Sequence, residues 1–589
     1  MSAQTGTAYA TPPPPKHPLD YVRFLWHRLL HDPNPLWIRE LKQSARLVRT
    51  PVILCVLAVL TTLLIASVGG LVSLDQSPAT TGYVLFQVFF SIAYFVVTFI
   101  GPGVAANAIA SEREGRTWEA VTLTGLRPAI IARGKFLAAY TAIVMYVVML
   151  APVGALPFLF GGVTATETIV AFAFLFLIAG LAVAFGLAIS SKMNSLRAAL
   201  VVSLICAVIV SLNVYGFMGV GLSYGAHLLW PGVPDGPPVW LPTAYARAPF
   251  DLTYLGLLVA LPIASAAVPA WLLYEVTVAN LTSITDDRST GLKRWYAVCT
   301  PVFGLGAGAS VFGVVPGERL LMCIGAMSVY FMFLMMGVYL FAGDSIGPSR
   351  RVELHWDRAN AGKWQRFLGP GIIKTSMLQL IVGNLALLFP LAAGLIAAPA
   401  STSGKPQNEM LVLFAVYIAG FFIFSVGFTA FLRSRTSTTL AARLLLLAVH
   451  FLVAIGPWVV AAIAGVMASG GDRTALVVAA PSPFYAFLAL DALDRGRESI
   501  LIVGSIFMSV VWALFGLLFL GLAKTRTSRV IAQHHAALAE SDRLLAAEDV
   551  ALAEAAAARA AAAEAPAQNE QAPAETPSGD EPAEPAPAS

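Results

Sequence analysis

The sequence predicts an all-α, polytopic transmembrane helical bundle of about 12 spans, arranged as two six-span halves with cytoplasmic N- and C-termini. Three observations predict it. Of the 589 residues, 58% are apolar and only 12% charged, about half the roughly 25% charge that soluble domains carry. Apolar runs recur that reach the ~20 residues a helix needs to cross a hydrocarbon core about 30 Å thick. Lys and Arg then gather on one side of those runs. A closed barrel would instead show short alternating segments.

Residues 1–50 form a basic, Pro-containing segment, and no cleavable signal is expected because the first apolar run starts only near Pro51. The first half, 51–281, holds spans near 51–74, 82–106, 136–160, 168–190, 198–222 and 252–277. The second half, 282–523, holds spans near 296–315, 320–342, 375–398, 410–432, 441–468 and 499–522, the first of them Gly-rich. With both termini inside, cytoplasmic segments hold 31 of the 37 Lys and Arg; Arg247, Arg319, Lys405, Arg473, Arg495 and Arg497 lie outside. A missed span would scramble that alternation. The outer loop from about 223 to 250, with Trp230, Pro231, Trp240 and Pro242, suits an interfacial or re-entrant cap whose backbone is shielded. Residues 524–565 read as an Ala-rich cytoplasmic helix and 566–589 as a disordered acidic Pro/Ala/Glu tail. From Ala536 onward the net charge is −9, which keeps this segment off an anionic lipid surface.

The halves echo each other at a separation of roughly 240 residues. A basic hairpin, Ser190 to Ala199, precedes the fifth span as Arg433 to Ala442 precedes the eleventh. Pro242-Thr243-Ala244-Tyr245-Ala246 precedes the sixth as Pro481-Ser482-Pro483-Phe484-Tyr485-Ala486 precedes the twelfth. The two longest internal cytoplasmic loops follow the second and eighth spans, and each carries Trp (Trp118; Trp356 and Trp364). Six spans per half give both copies the same orientation, a parallel duplication.

Two segments carry charge in a pattern. In Asn34-Pro35-Leu36-Trp37-Ile38-Arg39-Glu40-Leu41, Trp37, Leu41 and Val48 share one helical face while Arg39, Lys42, Arg46 and Arg49 share another, the pattern of an interfacial helix. The loop after the second span reads Ser111-Glu112-Arg113-Glu114-Gly115-Arg116-Thr117-Trp118-Glu119 and runs on to Gly134-Lys135. Glu112, Arg116 and Glu119 sit at helical spacing, so a short helix would offer a polar face to a partner with Trp118 as anchor. A solvated loop is the plainer reading on physics alone.

These segments resemble the type 2 ABC exporter permeases. The matching features, in order, are the Asn-Pro-x-x-x-Arg-Glu-Leu helix before the first span, the Glu-Arg-Glu-Gly-Arg-Thr loop with Gly-Lys before the third, and the basic hairpin before the fifth. The resemblance covers residues 34 to about 281 and reaches the second half only through the repeat. It implies that Trp37, Arg39, Glu40, Lys42 and Arg46 belong to a connecting helix. It implies too that Glu112, Arg113, Glu114, Gly115, Arg116, Trp118 and Glu119 form a coupling loop docking on a separate ATPase. Arg350, Arg351, Glu353 and Trp356 mark a candidate second coupling loop, although the Glu-Arg-Glu-Gly pattern is missing there. The implied protein is the permease subunit of an ABC transporter, multi-pass in the bacterial inner membrane and working in export. Its partners are ABC ATPase subunits and the lipid bilayer, with no nucleic acid, and the chain dimerises if the halves are not a true repeat.

No enzyme activity or cofactor is expected in the chain itself, and ATP is expected on the partner. A phosphate-cradling loop needs Gly-x-x-x-x-Gly-Lys-Ser/Thr, and the Gly-Lys pairs at 134, 362 and 404 are followed by Phe136, Trp364 and Pro406. The rival readings are a non-transport ABC-linked membrane protein and an ion-gradient-driven secondary transporter, the second of which places ionisable groups at mid-membrane. Glu275 and Asp251 sit near span ends and His450 alone lies deep, where it reads as a packing residue hydrogen-bonded to a neighbouring helix. An intramembrane enzyme would need a Ser/His pair, paired Asp residues or a metal cluster. His534 and His535 are helical neighbours that point apart, and Cys55, Cys206, Cys299 and Cys323 lack metal-ligand spacing.

Overall fold

The computed structural model describes residues 33–45, 49–230, 232–233, 241–397, 407–467, 473–496 and 499–564. All its regular structure there is helical. An amphipathic helix α1 (Pro35–Ala45) is followed by α2 (Arg49–Val72), α3 (Pro78–Glu114), the short α4 (Trp118–Leu123), α5 (Pro128–Gly154), α6 (Ala165–Ser190), α7 (Leu196–Val214) and α8 (Leu261–Leu281). The second half contains α9 (Thr290–Phe312), α10 (Arg319–Phe341), the short α11 (Arg350–Arg358) and α12 (Lys363–Leu368), then α13 (Ile372–Ala397), α14 (Gln407–Arg435), α15 (Thr439–Met467), α16 (Tyr485–Asp494) and α17 (Ser499–Glu564). Eleven helices among the described residues are long and apolar enough to cross a membrane, so the chain is a multi-pass helical membrane protein. The first expected span falls on α2, whose apolar stretch Ala58–Val72 is shorter and stands outside the eleven.

Each half closes over its own core. Phe86, Phe89, Val97, Ile143 and Leu187 are buried together in the first, and Tyr296, Tyr330, Leu334, Tyr417 and Phe422 in the second. Close helix approach depends on absent side chains. A Cβ on Gly101 would lie 2.9 Å from that of Ala182, which lets α3 and α6 pack backbone to backbone, and Gly427 meets the Gly516 carbonyl in the same manner between α14 and α17. The halves meet along α8 and α9, where Trp295 Nε1 donates to the Val268 carbonyl at 2.9 Å. The two cores are thus separate, with a seam between them at α8 and α9.

Two pairs of contacts lie at the positions where the sequence echo was read. Tyr245 donates its hydroxyl to the Leu258 carbonyl near the start of the next span, and Tyr485 donates to Leu501 at 3.0 Å. Phe174 of α6 stacks edge-on against Tyr245, and Phe414 of α14 lies 5.2 Å from Phe487. In the segment between α7 and α8, Leu222–Leu229 and Leu241–Arg247 are short helices, with Trp230 buried against Tyr254; Pro231 and Trp240 fall outside the described residues.

The chain divides into two units at Lys524. The second, from Thr525, is helical through Glu564 and exposed along nearly its whole described length. The expected disordered tail 566–589, Arg46 and Val48 lie outside the described residues.

Candidate functional site at the end of α3

Helix α3 runs on through Glu114, eight residues past the end of the expected span, so Glu112, Arg113 and Glu114 stand on its last turn. The expectation that Glu112, Arg116 and Glu119 share one helix fails here. Arg116 takes a left-handed conformation (φ 55°), a state that single residues adopt to end a helix and that cannot continue one. The chain turns at Gly115 to Thr117 and restarts as α4.

The three charged residues at the end of α3 reach three different elements. Glu112 accepts from Arg39 Nη2 at 2.6 Å and from Lys135 Nζ at 2.7 Å, both on Oε1. Glu40 joins the same cluster, 2.7 Å from Arg39 and 3.0 Å from Lys135. Lys135 is 1% exposed and Glu112 14%, so this cluster is largely out of water, and Glu112 Oε2 is buried without a partner among the described residues. Burial alone would raise the Glu40 carboxyl. The Lys135 charge and the bonds from Arg39 and Lys135 outweigh it and hold Glu40 below its ordinary value, while the bond to Glu40, with help from Glu112, raises Arg39.

Arg113 donates to the Met193 carbonyl at 3.3 Å and lies 5.6 Å over the Trp118 ring. Glu114 Oε2 accepts from Leu196 N at 2.7 Å. The Ser195 side chain makes no cap there, so a carboxylate from another helix fills the first orphan donor of α7, where negative charge is favoured. Ser190 inserts its hydroxyl into the ladder of α3, accepting from Ala110 N at 3.0 Å and donating to the Ala106 carbonyl at 2.6 Å. The basic hairpin between α6 and α7 is thus fastened to α3 at three points.

The Asn-Pro and Gly-Lys pairs fit together. Pro35 opens α1, Asn34 Oδ1 accepts from Leu36 N at 3.0 Å, and Asn34 Nδ2 donates to the Ile130 carbonyl at 2.8 Å. A Cβ on Gly134 would lie 2.6 Å from Asn34 Oδ1 and 2.9 Å from Leu36 Cβ, so only glycine lets α1 seat against α5. Trp37 Nε1 then donates to Thr141 at 2.9 Å. Arg39 reaches into this cluster while its side chain stays 47% exposed; Lys42 carries the basic charge of the last turn of α1.

Outward lie Gly115, Arg116, Glu119 and the tip of α4, where Leu123 is 86% exposed, and Glu114 is exposed too while it accepts from Leu196. Trp118, expected as the anchor, packs inward beside Val121, Leu36 and Ile131.

The second loop is built differently. Ser349 caps α11, Trp356 and Val352 are buried, and Arg351 pairs with Asp286 at 3.1 Å. Sequence reasoning missed the cluster beside it. Lys293, buried in α9, lies 3.0 Å from Asp344 Oδ2 and donates to the Gly369 carbonyl at 2.6 Å. Thr375 donates to the same carboxylate oxygen, and Arg433 donates to the Asp344 carbonyl at 2.8 Å. An acidic residue at or just after the end of the second helix of each half therefore gathers its neighbours, and its place at the repeat offset from Glu112 was the readable signal.

His450 is engaged at both ring nitrogens, by Tyr339 at 2.8 Å and Ser425 at 3.0 Å. A recess of about 60 Å³ between α3, α6 and α7 is lined by Phe90, Tyr94, Phe174, Leu175 and Tyr215. Among the described residues no group of three or more His, Cys, Asp and Glu is placed to hold a metal ion. No family model, curated protein or solved structure matches the chain.

Proposed function

We propose that this chain is the membrane-spanning permease of an ABC-type exporter, moved by a separate ATPase that docks on α4. One observation carries the reading: motifs some 20 to 100 residues apart in sequence, in α1, at the end of α3, at the start of α5 and in the α6–α7 hairpin, converge on Glu112-Arg113-Glu114. Such a junction turns a push on α4 into a concerted movement of α1, α3, α5 and the hairpin. In this reading α2 completes twelve spans in two six-span halves, both termini are cytoplasmic, and the membrane is the bacterial inner membrane. ATP is bound and hydrolysed by the partner, and the chain itself supplies the path. An apolar recess and spans without a charge near their centres fit a lipophilic cargo. The ion-gradient alternative would rest on His450, whose ring nitrogens meet the Tyr339 and Ser425 hydroxyls.

The docking face consists of Arg116, Glu119 and Leu123, because Glu112, Arg113 and Glu114 are occupied within the protein. The test is affinity capture of the detergent-solubilised chain from its native membrane, wild type beside Glu119→Lys/Leu123→Asp. A Walker-type ATPase that co-purifies with the wild type and is lost from an equally heat-stable variant supports the reading. A wild-type chain that repeatedly emerges without an ATPase sinks it.

A further inference from the structure

The loop between α10 and α13 was the candidate for a second ATPase dock, yet its inner side is fully used. Trp356 lies against Gly369 with Lys374 Nζ 5.0 Å over its ring, Arg366 pairs with Asp357 at 2.8 Å and donates to the Ala361 carbonyl at 3.1 Å, and Phe367 and Leu368 pack on the second core. These contacts fix α11 and α12 as one hairpin. Among the side chains it turns outward are Arg358, Lys363 and Trp364, the last 81% exposed. The neighbouring carboxylate of Asp357 is already bound by Arg366, so the outward side is cationic and aromatic.

That combination differs from α4 and the turn before it, where Trp118 is partly buried and Arg116 and Glu119 set both charge signs beside Leu123. It matches the chemistry of a headgroup layer, where Trp is enriched and each Lys or Arg strengthens attachment to an anionic surface about fivefold. Position agrees. Only Gly369, Pro370 and Gly371 separate α12 from α13, a reach of roughly 10–14 Å, which holds Trp364 near the level where α13 enters the bilayer.

We propose that the α11–α12 hairpin is an interfacial anchor for anionic phospholipid headgroups, with Trp364 seated among them and Arg358 and Lys363 selecting their charge. The hairpin holds the start of α13 at a fixed depth. The inference stands apart from the docking role of α4.

The experiment uses the full chain in nanodiscs of phosphatidylcholine alone or mixed with phosphatidylglycerol, each made with acyl chains brominated near the headgroup. The difference in tryptophan emission between wild type and Trp364→Phe isolates one indole. Its emission is expected to be quenched severalfold, more with phosphatidylglycerol, and the excess is expected to vanish in Arg358→Gln/Lys363→Gln. Quenching by aqueous iodide without quenching by brominated lipid overturns the proposal, as does equal quenching in both lipids that the double variant leaves unchanged. Iodide protection that arises only on adding a purified ATPase also overturns it, in favour of a protein dock.

Discussion

Lys135 Nζ stands 2.7 Å from Glu112 Oε1 with 1% of the lysine side chain exposed. This contact ties the end of one membrane helix to the start of the next, and its depth sets what substitution does. Removing one partner of a buried ion pair strands the other charge, at about 3–5 kcal/mol.

Glu112→Gln is therefore expected to destabilise the protein toward the low end of that range, since Glu40 remains 3.0 Å from Lys135. The midpoint of thermal unfolding in detergent should fall, and Glu112→Gln/Lys135→Met should recover much of the loss. An unchanged midpoint in the single variant would mean that the pair is hydrated.

Arg116→Gly separates folding from docking. A left-handed backbone costs a non-glycine residue roughly 1–2 kcal/mol, so glycine at φ 55° should raise stability by up to about 1 kcal/mol while capture of the proposed ATPase falls. Arg116→Ala keeps the strained backbone and should lose capture without the gain. Denaturation curves beside pull-downs read both effects, and loss of stability in the glycine variant would contradict the turn geometry.

Seating of α1 should depend on acid. Glu40 is held below its ordinary range near 4.3, so its contribution is complete above that value and is lost as pH falls through the lower folded one. Hydrogen exchange of α1 amides, corrected for intrinsic rate, should accelerate below about pH 4.3 in the wild type. In Glu40→Gln the acid step should shrink, with exchange already faster at neutral pH.

Gly427→Val tests the approach of α14 to α17. The new side chain meets the Gly516 carbonyl, and overpacking of this kind costs typically 1–3 kcal/mol or more. Gly521→Val, which has open space at its Cβ, is the matched control and should unfold near the wild-type temperature.

The membrane helices were readable because length and apolarity alone specify a span, and the boundaries of α6 and α13 fall close to the expected ones. The three motifs were readable as types but not as contacts. Glu112 looked available because Arg39 and Lys135, its partners, lie 73 and 23 residues away in sequence. The shared helical face of Glu112, Arg116 and Glu119 presumed an unbroken helix, and a left-handed Arg leaves no signature that a glycine would. Lys293 and Asp344 read as ordinary charges flanking spans, since pairing at a helix end is set by packing and not by local sequence. Trp118 and Trp364 were alike on paper. The first is partly buried and the second bare because only the first has α1 laid beside it.

Each of the two cores draws on one continuous stretch of chain, and the seam at α8 and α9 joins neighbours in sequence. The first half can therefore complete its packing while the second is still being synthesised. At roughly 5–20 residues per second, the 243 residues from Thr282 to Lys524 take on the order of 10–50 s to emerge. During that interval α8 waits with one flank uncovered, and the order of synthesis, more than any search among distant segments, directs α9 to its place.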